Sequence, residues 1–212
     1  MADTIIKHAS KTAITLIAFA MVFTALLAYI FQITKLPIEK SEAKARLALF
    51  RQIVPQSMHN NDLLKDAISI APSDLLGNNQ TTIANRARIN NEPAAIILEA
   101  IAHDGYSGDI KLLIAIRADG SLSGVRVLSH KETPGLGDYI DIAKDNWIKL
   151  FDNQSLNNVG GNQLPADKWK VKKDGGQFDF MAGATITPRA VVKAVHKALQ
   201  YFELNKATLF KN

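Results

Sequence analysis

The chain has 212 residues, 47% hydrophobic and 21% charged, which fits one ordinary domain plus a further segment and excludes a mostly disordered chain. It contains no cysteine, which excludes disulfides, thiolate zinc sites, cysteine-ligated iron–sulfur clusters and c-type haem attachment. The net charge of +5 is too small to indicate a nucleic-acid partner, but it suits an anionic cofactor or an anionic membrane surface.

A segment without charged residues covers residues 12–34. At about 1.5 Å per residue, a helix of this length spans roughly 34 Å and can cross a hydrocarbon core of about 30 Å. No A-x-A cleavage site follows it, which favours an uncleaved anchor in the lipid bilayer over a signal peptide. Because lysines flank both ends, charge does not decide the orientation. We predict a short tail over residues 1–11 and a transmembrane anchor over 12–34.

A linking helix is predicted over residues 35–55. Ser41 suits a helix start, apolar side chains crowd one broad face, and Pro55 ends the run. The following residues, 56–92, are polar and weakly patterned, so we expect loops with a short strand or a helical turn. The predicted soluble domain covers residues 56–212.

Three strands of an antiparallel meander are predicted over residues 94–102, 110–117 and 122–129. Each is rich in apolar residues, and turn sequences containing glycine separate them. Such a meander excludes a βαβ unit, in which a helix would join parallel strands.

The remaining elements complete the sheet and pack against it. An amphipathic helix is predicted over residues 138–151, and a strand over 169–173. The last helix is predicted over 188–204, with Thr187 as its N-cap and Pro188 as its first residue. The predicted fold class is α+β: an antiparallel sheet packed by helices and preceded by one N-terminal transmembrane helix.

The segment before the last helix is the strongest candidate for chemistry. Ala182, Gly183 and Ala184 are small and let the backbone turn tightly. The turn leads to a helix N-terminus, where free N–H groups favour an anion such as a phosphate, and the hydroxyl of Thr185 would face that anion. The alternative is a helix cap with a Ser/Thr turn and no ligand, which the residues alone favour because such helix starts are common.

Two motifs carry a resemblance to a known family. Asp-x-x-Ala-Gly-Ala-Thr at 179–185, preceded by Glu-Thr-Pro-Gly-Leu-Gly at 132–137, resembles the FMN-binding domain shared by two membrane proteins. These are the G subunit of the Rnf (Rsx) electron-transport complex and the C subunit of the sodium-pumping NADH:quinone oxidoreductase. The resemblance covers the anchor and residues from about 93 to 204. Ala182, where many members have Ser or Thr, and Pro134 favour the Rnf branch.

The resemblance implies that Thr185 carries FMN covalently. In the family, a flavin transferase takes FMN from FAD and attaches it to the last threonine of the motif through a phosphoester. Thr185 then needs no internal base, and the sequence offers none. Asp179 is the expected recognition residue for the transferase, or otherwise a turn cap.

The resemblance also implies contacts with the flavin. Thr133 would bond the edge of the isoalloxazine ring, Leu136 would cover its face, and Glu132 would either bond the ribityl chain or order the loop. The alternative is a plain Gly-Pro loop. Lys172 could offset flavin or phosphate charge, although alternating lysines are more often a solvated face. The other predicted cofactor-binding residues belong to the second motif and the helix start: Ala182, Gly183, Ala184 and Thr187.

Other candidate site residues are set aside. Trp147 and Trp169 lie on apolar faces and are predicted to be core residues rather than flavin stackers. No pair of histidines has metal-ligand spacing, so no metal is predicted. No Gly-x-Gly-x-x-Gly follows a strand, so we expect no NADH binding by this chain.

The predicted function is that of an electron carrier, without catalytic residues of its own, in an Rnf/Rsx-type complex that couples electron transfer to ion translocation. By resemblance, such a complex moves electrons between NADH and ferredoxin, or keeps a redox-sensing transcription factor reduced. The implied partners are the other subunits and the flavin transferase. The implied location is the bacterial inner membrane, with the domain in the periplasm.

Two alternatives to this function stay open. One is the C subunit of the sodium-pumping quinone reductase, which shares the flavin. The other is a non-redox, membrane-anchored envelope binding module, in which Thr185 is only a residue at a helix start. Flavin content separates the second alternative from the predicted function, and co-purifying subunits separate the first.

Overall fold

A computed structural model describes residues 2–157 and 162–211. The chain divides into two compact units, one extending to Arg46 and one beginning at Leu47. A single helix, α1 (Ala2–Ile53), forms the described part of the first unit and begins the second. Because this helix continues without a break past Ser41, no separate linking helix begins there.

Helix α1 is long and apolar enough to cross a membrane. Its candidate span, Ile6–Ile53, contains a window with a mean hydropathy of 2.4, none of which is buried against the rest of the chain. A helix suits a bilayer because its backbone groups hydrogen-bond within the helix, which spares them the cost of losing water. The predicted anchor at 12–34 lies within this helix.

The second unit contains one five-stranded antiparallel sheet in which sequence neighbours pair in space. Its strands are β1 (Ala67–Ile70), β2 (Thr82–Ile89), β3 (Glu92–Ala102), β4 (Ile110–Arg117) and β5 (Leu122–Ser129). The predicted meander corresponds to β3, β4 and β5. Strand β2 was not predicted, because polar residues interrupt its apolar pattern. Two of these, Arg86 and Arg88, are satisfied by ion pairs with Asp66 at 2.6 and 3.0 Å.

Helix α2 (Ile186–Leu209) packs on one face of the sheet, against β3 and β4. Val191, Val195 and Leu199 form part of its buried stripe, as its apolar spacing indicated. Its predicted N-cap was wrong, since Thr185 rather than Thr187 occupies the N-cap position, where its side chain makes no capping hydrogen bond. Proline at 188 is tolerated because the first turn of a helix needs no backbone N–H donor.

The predicted helix over residues 138–151 does not form. Two short 3₁₀-helices replace it, Asp138–Ile140 and Trp147–Phe151. The side chains of Asp141 and Asp145 accept hydrogen bonds from backbone N–H groups two residues further on, at 3.0 and 2.7 Å. These local bonds compete with helical hydrogen bonds, which explains the irregular chain here.

The predicted strand over residues 169–173 does not form either. Residues 169–171 lie between two 3₁₀-helices, Ala166–Lys168 and Lys172–Asp174, and Val171 forms an isolated bridge with Phe178. The chain folds back at once at Gly176, where a Cβ would lie 1.9 Å from the carbonyl oxygen of Lys170. The expected burial of Trp169 and Val171 is nevertheless confirmed.

The last turns of α1 cover the opposite face of the sheet. Phe50, Ile53 and Val54 are fully buried there, in a cluster with alternate residues of β3 and β4. Ser123 donates a hydrogen bond to the carbonyl oxygen of Ile53 at 2.5 Å, and Arg126 Nε donates one to Gln52 Oε1 at 2.9 Å. The second unit therefore begins at Leu47 rather than at residue 56, because it needs these side chains to cover its sheet.

Replacing Ile53 by alanine tests this packing. We expect Ile53→Ala to lower the free energy of unfolding by about 2–5 kcal/mol, because it leaves a cavity in a fully buried site. Denaturant unfolding of the full chain in detergent, followed by tryptophan fluorescence, measures the change. Ile83→Ala is the control because Ile83 is 51% exposed on β2. Equal losses in the two variants would contradict the assignment of residues 47–53 to the domain core.

Candidate functional site

The turn over residues 179–184 is fixed by two aromatic side chains. Trp147 Nε1 donates a hydrogen bond to the carbonyl oxygen of Asp179 at 2.7 Å, and the hydroxyl of Tyr139 accepts one from the N–H of Met181 at 3.3 Å. Both aromatic rings are buried and pack edge to face. The expectation that Trp147 is a core residue is confirmed, and its indole also holds the turn.

Thr185 lies directly at the start of α2. Gly183 precedes it with φ +86°, a left-handed conformation that glycine adopts without steric cost. Thr185 is 9% exposed, and its hydroxyl makes no capping hydrogen bond of its own. Thr185 therefore occupies the helix start itself, where backbone N–H groups lack partners within the helix, whereas the sequence pattern placed the helix start at Thr187.

The carboxylate of Glu132 joins three segments of the chain. Glu132 is 4% exposed; its Oε1 accepts a hydrogen bond from the N–H of Ser107 at 3.0 Å, and its Oε2 accepts one from the hydroxyl of Thr187. Gly137 packs against this contact so closely that a Cβ would lie 2.8 Å from both Glu132 Oε2 and Thr187 Oγ1. The β3–β4 connection, the 132–137 loop and the start of α2 therefore meet at one point.

A cavity of about 330 Å³ lies where these segments meet. Its volume is within the range of roughly 300–1,000 Å³ found for small-molecule sites. Six residues predicted to bind a cofactor line it: Glu132, Thr133, Leu136, Gly183, Ala184 and Thr187. The wall also includes Tyr106, Gly137 and Ile186, which were not predicted as site residues. The structure thus brings both motifs to a single cavity.

Lys172 and Asp179 lie outside this cavity wall. They form an ion pair of 2.5 Å with each other, and each side chain is more than half exposed. An exposed pair of this kind contributes little to stability because water screens it. Ala182 is also exposed, on the turn before Thr185. These three predicted residues are not part of the cavity wall, and neither is Thr185, which lies between the wall residues Ala184 and Ile186 in the chain.

The β3–β4 connection, which carries Tyr106, is fastened by charged groups. His103 Nδ1 lies 2.9 Å from Asp109 Oδ1, and its Nε2 lies 2.8 Å from the carbonyl oxygen of Gly77. Two acceptors require an N–H on each ring nitrogen, so the contacts favour the charged imidazolium. The hydrogen bond to Asp109 is the main cause that raises the pKa of His103 above its ordinary value of 6.5.

This pKa shift predicts a pH dependence. Because the pKa of His103 is raised in the folded chain, the stabilisation that its charged ring contributes is fully present below about pH 6.5. It is lost as the pH rises through the pKa of the folded state. We expect amide protection in residues 104–108 to fall over that interval, while protection in β4 stays constant. Hydrogen exchange and an NMR titration of His103 measure both effects. Asp109→Asn should move the pKa back toward 6.5, and a wild-type pKa at or below 6.5 would contradict the assignment.

Replacing Gly137 by alanine tests the close contact at Glu132. Gly137 has φ −86°, which any residue adopts, so the cost arises from the clash alone. We expect Gly137→Ala to lower the free energy of unfolding by about 1–3 kcal/mol through overpacking. Thr187→Ala removes the Oγ1 atom that the new Cβ would meet, so the two substitutions should not be additive in a double-mutant cycle. Additive losses would show that Thr187 is not the group displaced.

Comparisons with known proteins found matches that cover residues of both units of the chain. The RnfG N-terminal region matches residues 1–53, and the FMN-binding domain matches residues 105–200, which include both motifs. The G subunit of the ion-translocating oxidoreductase complex of Shewanella loihica is 45% identical over 99% of this chain and 94% of its own length. The G subunit of the complex of the same name from Pseudomonas aeruginosa is 45% identical over 94% of this chain and 91% of its own. Among solved structures, NqrC of Shewanella oneidensis has a TM-score of 0.44 at 20% identity, covering 70% of this chain and 75% of its own.

The chain is thus a membrane-anchored protein with an α+β domain, as the sequence pattern predicted. It belongs to the family of G subunits of ion-translocating oxidoreductase complexes. The resemblance that the two motifs indicated is confirmed.

Proposed function

We propose that this chain is the electron-carrier subunit of an ion-translocating oxidoreductase complex and that it carries FMN covalently on Thr185. The observation that carries the proposal is the convergence of both family motifs on one cavity beside the start of α2. The relatives named as G subunits match nearly the whole chain, which supports the same role here. Bound FMN supplies the chemistry, since it accepts and releases one or two electrons.

The residues of the cavity fit such a group. Leu136 and Ile186 are 45% and 46% exposed and offer apolar surface to a flat ring. Thr133 offers a hydroxyl to the polar edge of that ring. The small side chain of Ala184 and the free N–H groups of the helix start suit a phosphate.

We assign Glu132 the role of ordering the loop rather than bonding the ribityl chain. Both of its carboxylate oxygens already accept hydrogen bonds, one from Ser107 and one from Thr187. A buried carboxylate needs such donors because it has lost its contacts with water. Lys172 faces Asp179 rather than the cavity, so it contributes at most long-range charge to the site.

The covalent attachment forms one phosphorus–oxygen bond and breaks another. An O–P bond forms between Thr185 Oγ and the FMN phosphorus, the pyrophosphate bond of FAD breaks, and AMP leaves with the proton of the hydroxyl. The transferase supplies the catalysis and FAD is its donor. Asp179, exposed on the motif turn, is presented for recognition by that enzyme.

The proposed setting follows from the anchor and the family. Helix α1 holds the chain in the bacterial inner membrane, and the domain faces the periplasm, where the transferase reaches it. The other subunits of the complex are the electron donors and acceptors. A large domain after a single N-terminal anchor commonly lies outside the cell membrane, which supports this orientation.

Mass spectrometry of the full chain tests the covalent flavin. The chain is produced in a host that also makes the flavin transferase and is purified in detergent. We expect a mass gain equal to FMN less one water, located on the peptide that contains Thr185. Thr185→Val should abolish the gain because it removes the hydroxyl while keeping the shape of the side chain.

Thr208→Val is the matched control, because Thr208 is an exposed threonine near the other end of α2. It should keep the full mass gain. A flavin retained by Thr185→Val would contradict the assignment of the attachment site. An unmodified wild-type chain, with the transferase active on a control protein, would contradict the proposed function itself.

A further inference from the structure

Tyr106 is unusually exposed for a large aromatic side chain. It is 67% exposed, although it lies in the wall of the cavity. Within residues 2–157 and 162–211, its side chain has no hydrogen bond or ring contact. Its position is therefore not explained by the packing of the domain.

The backbone that carries Tyr106 is nevertheless well fixed. The preceding residue, Gly105, packs so tightly that a Cβ would lie 2.1 Å from the carbonyl oxygen of Gly108. The following residue, Ser107, donates its N–H to Glu132. The connection thus holds an aromatic ring at the cavity, and the entropy cost of ordering this backbone is already met before any ligand binds.

Two further apolar side chains of the cavity are also incompletely covered. Leu136 and Ile186 come from the other two segments that meet at Glu132, and each is nearly half exposed. The three side chains therefore leave apolar surface on all three segments around one cavity. A flat aromatic ligand would bury this surface, and a ring pair adds stabilisation beyond the area that it covers.

We propose that Tyr106 is a cofactor-contacting residue whose ring packs against the isoalloxazine ring and shields it from water. The proposal rests on the proposed function, because it requires a flavin in the cavity. The hydroxyl of Tyr106 is not needed for this role, whereas its aromatic ring is. Tyr106→Phe should therefore behave like the wild type, and Tyr106→Ala should not.

Collisional quenching of flavin fluorescence by iodide tests the proposal in the full flavin-carrying chain. Iodide reaches only flavin that is open to solvent. We expect the quenching constant to rise in Tyr106→Ala, because loss of the ring opens part of the flavin surface to the solvent. It should stay within error of the wild type in Tyr106→Phe. Leu204→Ala is the control, since Leu204 is 77% exposed on α2 and is not among the residues of this cavity wall.

Intact mass, measured on the same samples, distinguishes failure of the proposed function from failure of this inference alone. A wild-type chain without flavin would overturn the proposed function and this inference together. Equal quenching constants in wild type and Tyr106→Ala, both fully flavinylated, would overturn only the inference. In that case, loss of co-purifying subunits from Tyr106→Ala would assign the exposed ring to a protein partner. Flavin lost from Tyr106→Ala but kept in Tyr106→Phe, with unchanged thermal unfolding of the flavin-free chains, would support the inference.

Discussion

The carboxylate of Glu132 accepts hydrogen bonds from residues that lie 25 and 55 positions away along the chain. A carboxylate taken out of water is costly unless such donors compensate it, so its burial favours one arrangement of the three segments. The cavity lies where these segments meet, and the same contact sets the position of the loop that carries Tyr106. Gly137 is part of this constraint because any side chain there would displace one of the bonded oxygens.

The sequence was sufficient for those elements whose apolar pattern is strong. Strands β3 to β5 consist of nearly continuous apolar runs, and α2 has a regular helical stripe. Strand β2 was missed because Arg86 and Arg88 face ion-pair partners that only the folded chain provides. The helix predicted over 138–151 does not form, because its aspartates hydrogen-bond to their own backbone. Aspartates also suit the surface of a helix, and only the local geometry decides between these two arrangements.

The residues of the candidate site also fall into those that the sequence predicted and those that it did not. Thr133, Leu136 and the small residues before Thr185 could be identified because contiguous motifs contain them. Tyr106 could not, because only the topology brings the β3–β4 connection to the cavity. The Gly-Tyr-Ser-Gly turn was visible in the sequence, but nothing in it indicated where the tyrosine points. Lys172 was assigned by its charge alone, and its pairing with Asp179 became evident only in the structure.

The fixed walls of the cavity would matter for a bound flavin, because its charge changes each time it gains or loses an electron. Electron transfer is slowed by the nuclear rearrangement that accompanies each change of charge. Here the motif turn is held by Trp147, the facing loop by Glu132 and the β3–β4 connection by His103. Walls held in this way would leave fewer protein dipoles free to reorient around a bound flavin, which would keep the reorganisation energy small. The same bonds that shape the cavity would therefore also favour rapid relay between neighbouring carriers.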